Sequence, residues 1–331
     1  MRVLYIAEIV GKAGIYCVKT VLPRLKKDRE IDFVVANGDG ATGGYGIGKN
    51  HSIYLRKLGI DVITGGDQTF YKKDIAEHIE KAYYMLRPAN LPPEMPGRGW
   101  RHYSVVPREW VGIGSVPENT AKPESSPGDA SPPGDTVLAG DAPASGTQPV
   151  VSEEQTTAPA FKIAVVSLLG QSGFHRIHGG NPFTYLKNIL ERITKESGAV
   201  IVDFHALTTA EKTTMFHYLD GNVTAVVGSG QRVQTADARV MSSGTAVICD
   251  AGRTGSINSV GGYLPEPEIK QYLTGIPIRS DDAWDALELQ GVLIEIDPAG
   301  GYVTAFEAIR ETCPPPPDSE QRGNGKKRGR S

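Results

Sequence analysis

Cysteine is scarce in this chain: Cys17, Cys249 and Cys313 are far apart and odd in number. That argues against a disulfide framework and against a zinc cluster built on thiolates. Long apolar runs are missing too. No stretch approaches the roughly 20 residues of a membrane span, and the opening "MRVLYIAEIVG" is too short an apolar run for a secretory signal. No membrane contact is expected, and cytoplasm is the default compartment. Neither sign of charge dominates: the net charge of −3 gives no general case for nucleic acid. The glycine-rich "GGYGIG" at 43–48 lacks dinucleotide-fold spacing, and no Walker lysine–hydroxyl pair follows it. Ser229, within "GSG", is not a nucleophile elbow. There is no internal repeat.

Two segments lack what folding needs. Residues 115–160 are dominated by Pro, Gly, Ser, Ala and acidic residues and contain no aromatic side chain. Such a stretch buries too little apolar surface to offset its chain entropy, so a disordered insert is expected. The tail 313–331, "CPPPPDSEQRGNGKKRGRS", reads the same way. Its basic end, with Lys326, Lys327, Arg328 and Arg330, allows at most a weak nucleic-acid or acidic-partner contact.

What is there reads as α/β. "RVLYIAEIV" (2–10) is a strand, followed by a helix over about 14–27 with Val18, Val21, Leu22 and Leu25 at helical spacing. "IDFVVANGDG", a helix in "GIGKNHSIYLRKLG" and the strand "DVITGGDQTF" continue the alternation, which implies parallel pairing with crossover helices. "RHYSVVPREWVGIG" and "FKIAVVSLLG" flank the insert and could pair antiparallel around it. A helix over 182–196, the strands "AVIVDFHAL", "TAVVGSG" and "TAVICDAG", and a hairpin turning at Pro298-Ala299-Gly300-Gly301 complete the reading.

Several strands end in a polar cluster. Glu8, Asp39, Asp67, Asp203, His205 and Arg232 stand at or just beyond strand ends. Carboxyl ends of parallel strands line one sheet edge, so these residues are expected to converge. Carboxylates with a histidine suggest a divalent metal site. His175 and His178, in "GFHRIHGG", are close enough in sequence to share a ligand.

The chain resembles the YmdB-type branch of the calcineurin-like metallophosphoesterases. The resemblance rests on "MRVLYIAEIVG", "VLPRLKK", "IDFVVANGDGATGGYGI", "LGIDVITGGDQTF", "LRPANLP", "IVDFHALTTAEK", "YLDGNVTAVVGSGQRVQTADARV" and "GTAVICDAGRTG", in that order, over residues 1–312 except the insert. It implies a layered β-sandwich flanked by helices, two divalent metals (Fe, Mn or Mg) at the strand ends, and phosphodiester hydrolysis.

Position by position, the resemblance also marks departures. The family's Gly-Asp is Ala7-Glu8, and its Asn-Gly-Glu-Asn is Asn37-Gly38-Asp39-Gly40. Its Gly-Asn-His is Gly66-Asp67-Gln68, which puts Gln68 at the catalytic histidine's position. Phe204-His205 survives. Its Gly-Thr-His-Thr-His is Gly228-Ser229-Gly230-Gln231-Arg232, so Gly230 and Arg232 replace two ligand histidines. An arginine cannot be deprotonated to ligate a metal, and is expected to pair with Glu8 or Asp39. The departures imply an impaired or inactive centre in a binding or scaffold module, holding no metal or one. The alternative is a metal-dependent phosphodiesterase with a remodelled, single-metal centre, in which His175 or His178 could substitute. Arg232 could hold an anion such as a phosphate or nucleotide. A protein partner on the insert or tail and self-association complete the partners implied.

Overall fold

The computed structural model describes residues 1–108, 160–174, 177 and 179–317. All of the expected insert but its last residue, the tail from 318, and both His175 and His178 lie outside the described residues.

Mostly apolar runs fold into two sheets, each mixing parallel and antiparallel pairs. The first half of the chain gives β1 (Arg2–Ile6), β2 (Glu8–Ile9), α1 (Gly11–Asp28), β3 (Phe33–Asn37), α2 (Lys49–Lys57), β4 (Val62–Thr64), α3 (Lys73–Lys81), β5 (Met85–Leu86) and β6 (Trp100–Val105). The second gives β7 (Phe161–Leu169), α4 (Pro182–Glu196), β8 (Ala199–His205), α5 (Thr209–Leu219), β9 (Ala225–Ser229), β10 (Arg239–Val240) and β11 (Ala246–Ile248). It ends with β12 (Arg253–Ser256), α6 (Pro265–Thr274), β13 (Leu287–Ile296) and β14 (Val303–Thr312). One sheet runs β2-β12-β13-β1-β3-β4-β5, with β14 on β13; the other runs β10-β11-β9-β8-β7-β6.

Period-two alternation sorts the core into layers. Val3 and Tyr5 of β1 and Val35 of β3 face Ile163, Val165, Ile201 and Val227 of the second sheet. Leu4, Ile6, Val34 and Ala36 point the other way, onto Val18, Leu22 and Leu25 of α1. Across the second sheet, Val166, Val202 and Phe204 pack under Leu186 and Ile193 of α4 and Met215 and Phe216 of α5. The result is helix on sheet on sheet on helix, a sandwich flanked by helices.

The strands flanking the insert do pair antiparallel, from Trp100↔Val166 to Val105↔Phe161. Three expectations need correction. The first strand is not continuous over 2–10: it breaks at Ala7, and Glu8 moves to a new partner, pairing parallel with Arg253. The third strand stops at Thr64, because Gly65 and Gly66 begin the turn that carries Asp67. The packed chain also runs past 312: Cys313 and Pro316 are buried, and the Cys313 amide donates to the Leu287 carbonyl at 2.8 Å.

Candidate metal centre

The carboxyl ends of β1, β3 and β4 from one sheet and of β8 and β9 from the other meet at one rim of the sandwich. Their loops line a cleft of about 390 Å³ whose floor includes Glu8, Asp67, His205 and Arg232. The break at Ala7 turns Glu8 onto that floor, where it is 1% exposed.

Asp39 follows β3 and is equally buried. Its Oδ1 accepts the Gly66 amide at 2.6 Å and its Oδ2 the Gln68 amide at 3.0 Å, so the turn after β4 is clamped onto it. His205, at the end of β8, places Nε2 3.1 Å from Asp67 Oδ1 and 3.8 Å from Asp39 Oδ2. Gly66 has to be glycine, since a Cβ there would lie 2.5 Å from the His205 ring. One ligand atom each from Asp39, Asp67 and His205 all lie within 4.8 Å of one another.

The electrostatics follow from crowding. Burial pushes the Asp39 carboxyl up to about 7, against the opposing charge of His205, and Asp67 and Glu8 push it further the same way. Burial alone would lower His205. The hydrogen bond to Asp67 and the charges of Asp39, Glu8 and Asp67 outweigh it and hold the imidazole at about 9. Asp67 is held below the usual carboxylate range: burial opposes this, but its bond to His205 and that residue's charge prevail.

Beneath the floor, a polar network orients His205. Ser229 Oγ donates its one proton to Asp203 Oδ1 at 2.7 Å and lies 3.1 Å from His205 Nδ1. With that proton committed, Nδ1–H is the donor to Oγ, and Nε2 is the nitrogen presented to Asp39 and Asp67. Asp203 also accepts from Asn37 Nδ2 at 3.0 Å and from Thr64 Oγ1. Asp203 therefore does not line the cleft, contrary to the convergence expected from its strand. It shares a strand face with His205, two residues apart, but lies deeper.

The opposite side of the floor is built from an ion pair. Arg232 Nε and Nη2 donate to Glu8 Oε1 at 2.9 and 2.7 Å. Arg232 Nη1 reaches the Gly261 carbonyl at 3.3 Å and Nη2 the Gly44 carbonyl at 3.2 Å. Of the two partners the sequence allowed, Arg232 takes Glu8. Its backbone is left-handed, φ 59°, and its carbonyl is gripped by Arg253 Nη1 at 2.7 Å. Gly40 makes room for the pair: a Cβ there would lie 2.8 Å from Glu8 Oε1 and 3.1 Å from Arg232 Nη2. Gly230 brings no side chain to the floor.

Two contributors escaped the sequence. Lys212 and Asp250, both fully buried, form a 3.0 Å ion pair, and Asp250 also accepts the Gln231 amide at 2.9 Å, fixing the loop that carries Arg232. A lysine on a predicted helix gives no sign of burial, so only the fold discloses it. The rings of Tyr45, Phe174 and Tyr263 also line the cleft.

Two carboxylates and an imidazole suit one divalent cation. Across the floor, the Arg232 guanidinium bonds Glu8 through Oε1 and cannot itself ligate a cation. Gln68, at the position where the resemblance puts a catalytic histidine, keeps its Oε1 buried without a hydrogen-bond partner. No helix of the described residues is long and apolar enough to cross a membrane.

Known proteins share the sequence pattern and the fold of this chain. The chain is 29% identical over 309 residues to a 2′,3′-cyclic-nucleotide 2′-phosphodiesterase of Bacillus subtilis, covering 93% of this chain and 96% of that one. A solved phosphatase of Mycoplasma pneumoniae superposes with a TM-score of 0.72 at 27% identity, over 94% and 93% of the two chains. The calcineurin-like phosphoesterase YfkN of Bacillus subtilis shares the fold at a TM-score of 0.52 and 10% identity, over 94% and 90%. The family model described as "YmdB-like protein" matches residues 4–126 and 142–309, and the chain belongs to that family of phosphoesterases.

Proposed function

We propose that the protein is a metal-dependent phosphodiesterase with a remodelled centre. One divalent cation would be held by Asp39, Asp67 and His205, and the Arg232 guanidinium would supply the other positive charge of the floor. The observation that carries the reading is the convergence of the three ligand atoms within 4.8 Å. The phosphodiesterase name of the Bacillus subtilis relative supports it.

Bound there, a divalent cation supplies Lewis-acid polarisation of a phosphoryl oxygen and a more acidic water. The chain's own residues do the rest. Asp39 ties the turns after β3 and β4 together through the Gly66 and Gln68 amides, which keeps Asp67 beside His205. Ser229 holds the His205 ring so that Nε2 faces the cleft. Arg232 offsets the charge of Glu8, so an anion meets less repulsion from the three carboxylates. Gln68 has no acidic proton to give near pH 7, so a departing oxygen is not protonated from that position. The centre therefore favours esters whose leaving group is stable as an anion.

The Arg232–Glu8 pair favours a second reading, a non-catalytic module that binds an anion or a protein. One experiment separates the two. The full chain is loaded with Mn²⁺, Mg²⁺ or Fe²⁺, its metal content measured, and bis(p-nitrophenyl) phosphate and a 2′,3′-cyclic nucleotide supplied. One ion per chain is expected, with turnover faster on the aryl ester and abolished by Asp39→Asn. No bound metal and no turnover above the Asp39→Asn background would overturn the proposal in favour of the second reading.

A further inference from the structure

The glycine-rich segment around Tyr45 has no phosphate-loop spacing, and the metal centre does not use it. It is nonetheless built onto that centre. The Gly44 amide donates to the Gly40 carbonyl at 2.9 Å, the Gly46 amide to the Asp39 carbonyl at 2.6 Å, and the Gly44 carbonyl accepts from Arg232. Gly43, Gly44 and Gly46 all have positive φ, so the chain curls tightly and projects Tyr45 at the mouth of the cleft. Tyr45 is 43% exposed. Tyr71 braces it at 5.3 Å between centroids and 28° between planes, and the Lys72 ammonium lies 5.1 Å from the Tyr71 ring. Tyr263 flanks Tyr45 at 6.4 Å and 24°. Phe174, stacked on His205 at 5.7 Å, and Leu207 also line the mouth.

The cleft is thus divided by chemistry. Its floor is charged, and its mouth is lined by rings and a leucine. A bare phosphate or a small alkyl phosphodiester would use only the floor. A half-exposed aromatic ring held rigidly beside it is suited to a second flat ring. The cleft volume lies within the range of small-molecule sites.

We infer that Tyr45, braced by Tyr71, is a stacking platform for the nucleobase of a nucleotide whose phosphate lies on the Asp67–His205–Arg232 floor. Tyr45 is a specificity residue in this scheme: it selects base-bearing phosphates over sugar or alkyl phosphates of equal charge. The inference rests on the phosphate-processing reading of the floor, but adds a ring site which that reading does not require.

The test is equilibrium binding to the full chain in Mn²⁺, comparing AMP with ribose 5-phosphate by calorimetry. The two probes share phosphate and sugar and differ by the base. In the wild type AMP is expected to bind about 5- to 150-fold tighter, the range that one base–ring stack supplies. Tyr45→Ala should bring the ratio below about two-fold while changing ribose 5-phosphate affinity little; Tyr45→Phe, which keeps the ring, should preserve it. Equal affinities in the wild type overturn the inference. So does a preference that survives Tyr45→Ala, and so does failure of AMP to bind at millimolar concentration. A preserved AMP preference without any phosphodiester turnover would sink the catalytic proposal and leave the platform standing.

Discussion

The two sides of the cleft floor are made from equivalent strand ends but handle buried charge differently. On one side, Glu8 is neutralised by Arg232, a cation that is part of the chain. On the other, Asp39 and Asp67 lean on His205, whose positive charge depends on a proton. On the second side burial drives Asp39 up to about 7, and the hydrogen bond to Asp67 with the charges of Asp39, Glu8 and Asp67 raises His205 to about 9. The first side is complete, with the guanidinium bonded to Glu8 and to the Gly44 and Gly261 carbonyls. A scaffold that gathers carboxylates needs positive charge at both places. Here one place is filled by Arg232, and in the proposed reading the other takes an exchangeable cation. Glu8, Gly40 and Arg232 belong together for that reason: the longer acid meets the arginine, and only glycine leaves them room.

The strongest way to break the comparison is to empty the permanent side. Arg232→Ala leaves Glu8 buried and unpaired, which should cost about 3–5 kcal/mol of stability. Urea unfolding followed by circular dichroism reads this directly. Adding Glu8→Gln should recover most of the loss, because the uncompensated charge is then gone. A single variant as stable as the wild type would mean that the pair does not hold this side together.

The exchangeable side should respond to metal where the permanent side cannot. At a free Mn²⁺ concentration 100 times the dissociation constant, binding to the folded state alone should stabilise the chain by about 2.7 kcal/mol, and EDTA should remove that gain. Thermal melts with and without the ion measure it. Asp39→Asn should abolish the difference. A wild type whose melting is indifferent to Mn²⁺, Mg²⁺ and Fe²⁺ would sink the single-ion reading.

Much of this was legible in the sequence, and the rest was hidden for physical reasons. Apolar runs such as "FVVAN" and "AVIVDFH" marked buried parallel strands, and the helix over 182–196 appears with those bounds, capped by Asn181 accepting the Phe183 amide. Helix α3 was missed because only Ile75 and Ile79 of its nine residues are buried, too few for a visible stripe. Helix α6 buries none of its residues. The break at Ala7 was invisible because both pieces are equally apolar; it is set by β12, whose sequence gave no strand signal. At the site, the strand-end acids pointed to the rim at which Asp39, Asp67 and His205 come together. Periodicity could not say that Asp203 lies beneath His205 instead of beside it, since both share one strand face. The tyrosines at 45, 71 and 263 meet only in three dimensions.

The smallest expected effect sharpens the comparison most, because it touches one side alone. Ser229 contributes no ligand, yet its hydroxyl joins Asp203, Asn37 and His205. Ser229→Ala removes the acceptor that holds Nδ1, so the His205 ring loses its reason to present Nε2. Partners that orient a metal-binding histidine are typically worth about 10- to 100-fold in metal affinity, and a loss of that size is expected for Mn²⁺. Ser229→Thr restores a hydroxyl at the same atom and should restore most of the affinity, which a general packing defect would not. The Arg232–Glu8 pair has no bond to Ser229. Its coupling energy, measured by a double-mutant cycle in the Ser229→Ala background, should therefore match the wild-type value within about 0.5 kcal/mol. A coupling energy that changes along with Mn²⁺ affinity would mean that the two sides are one network.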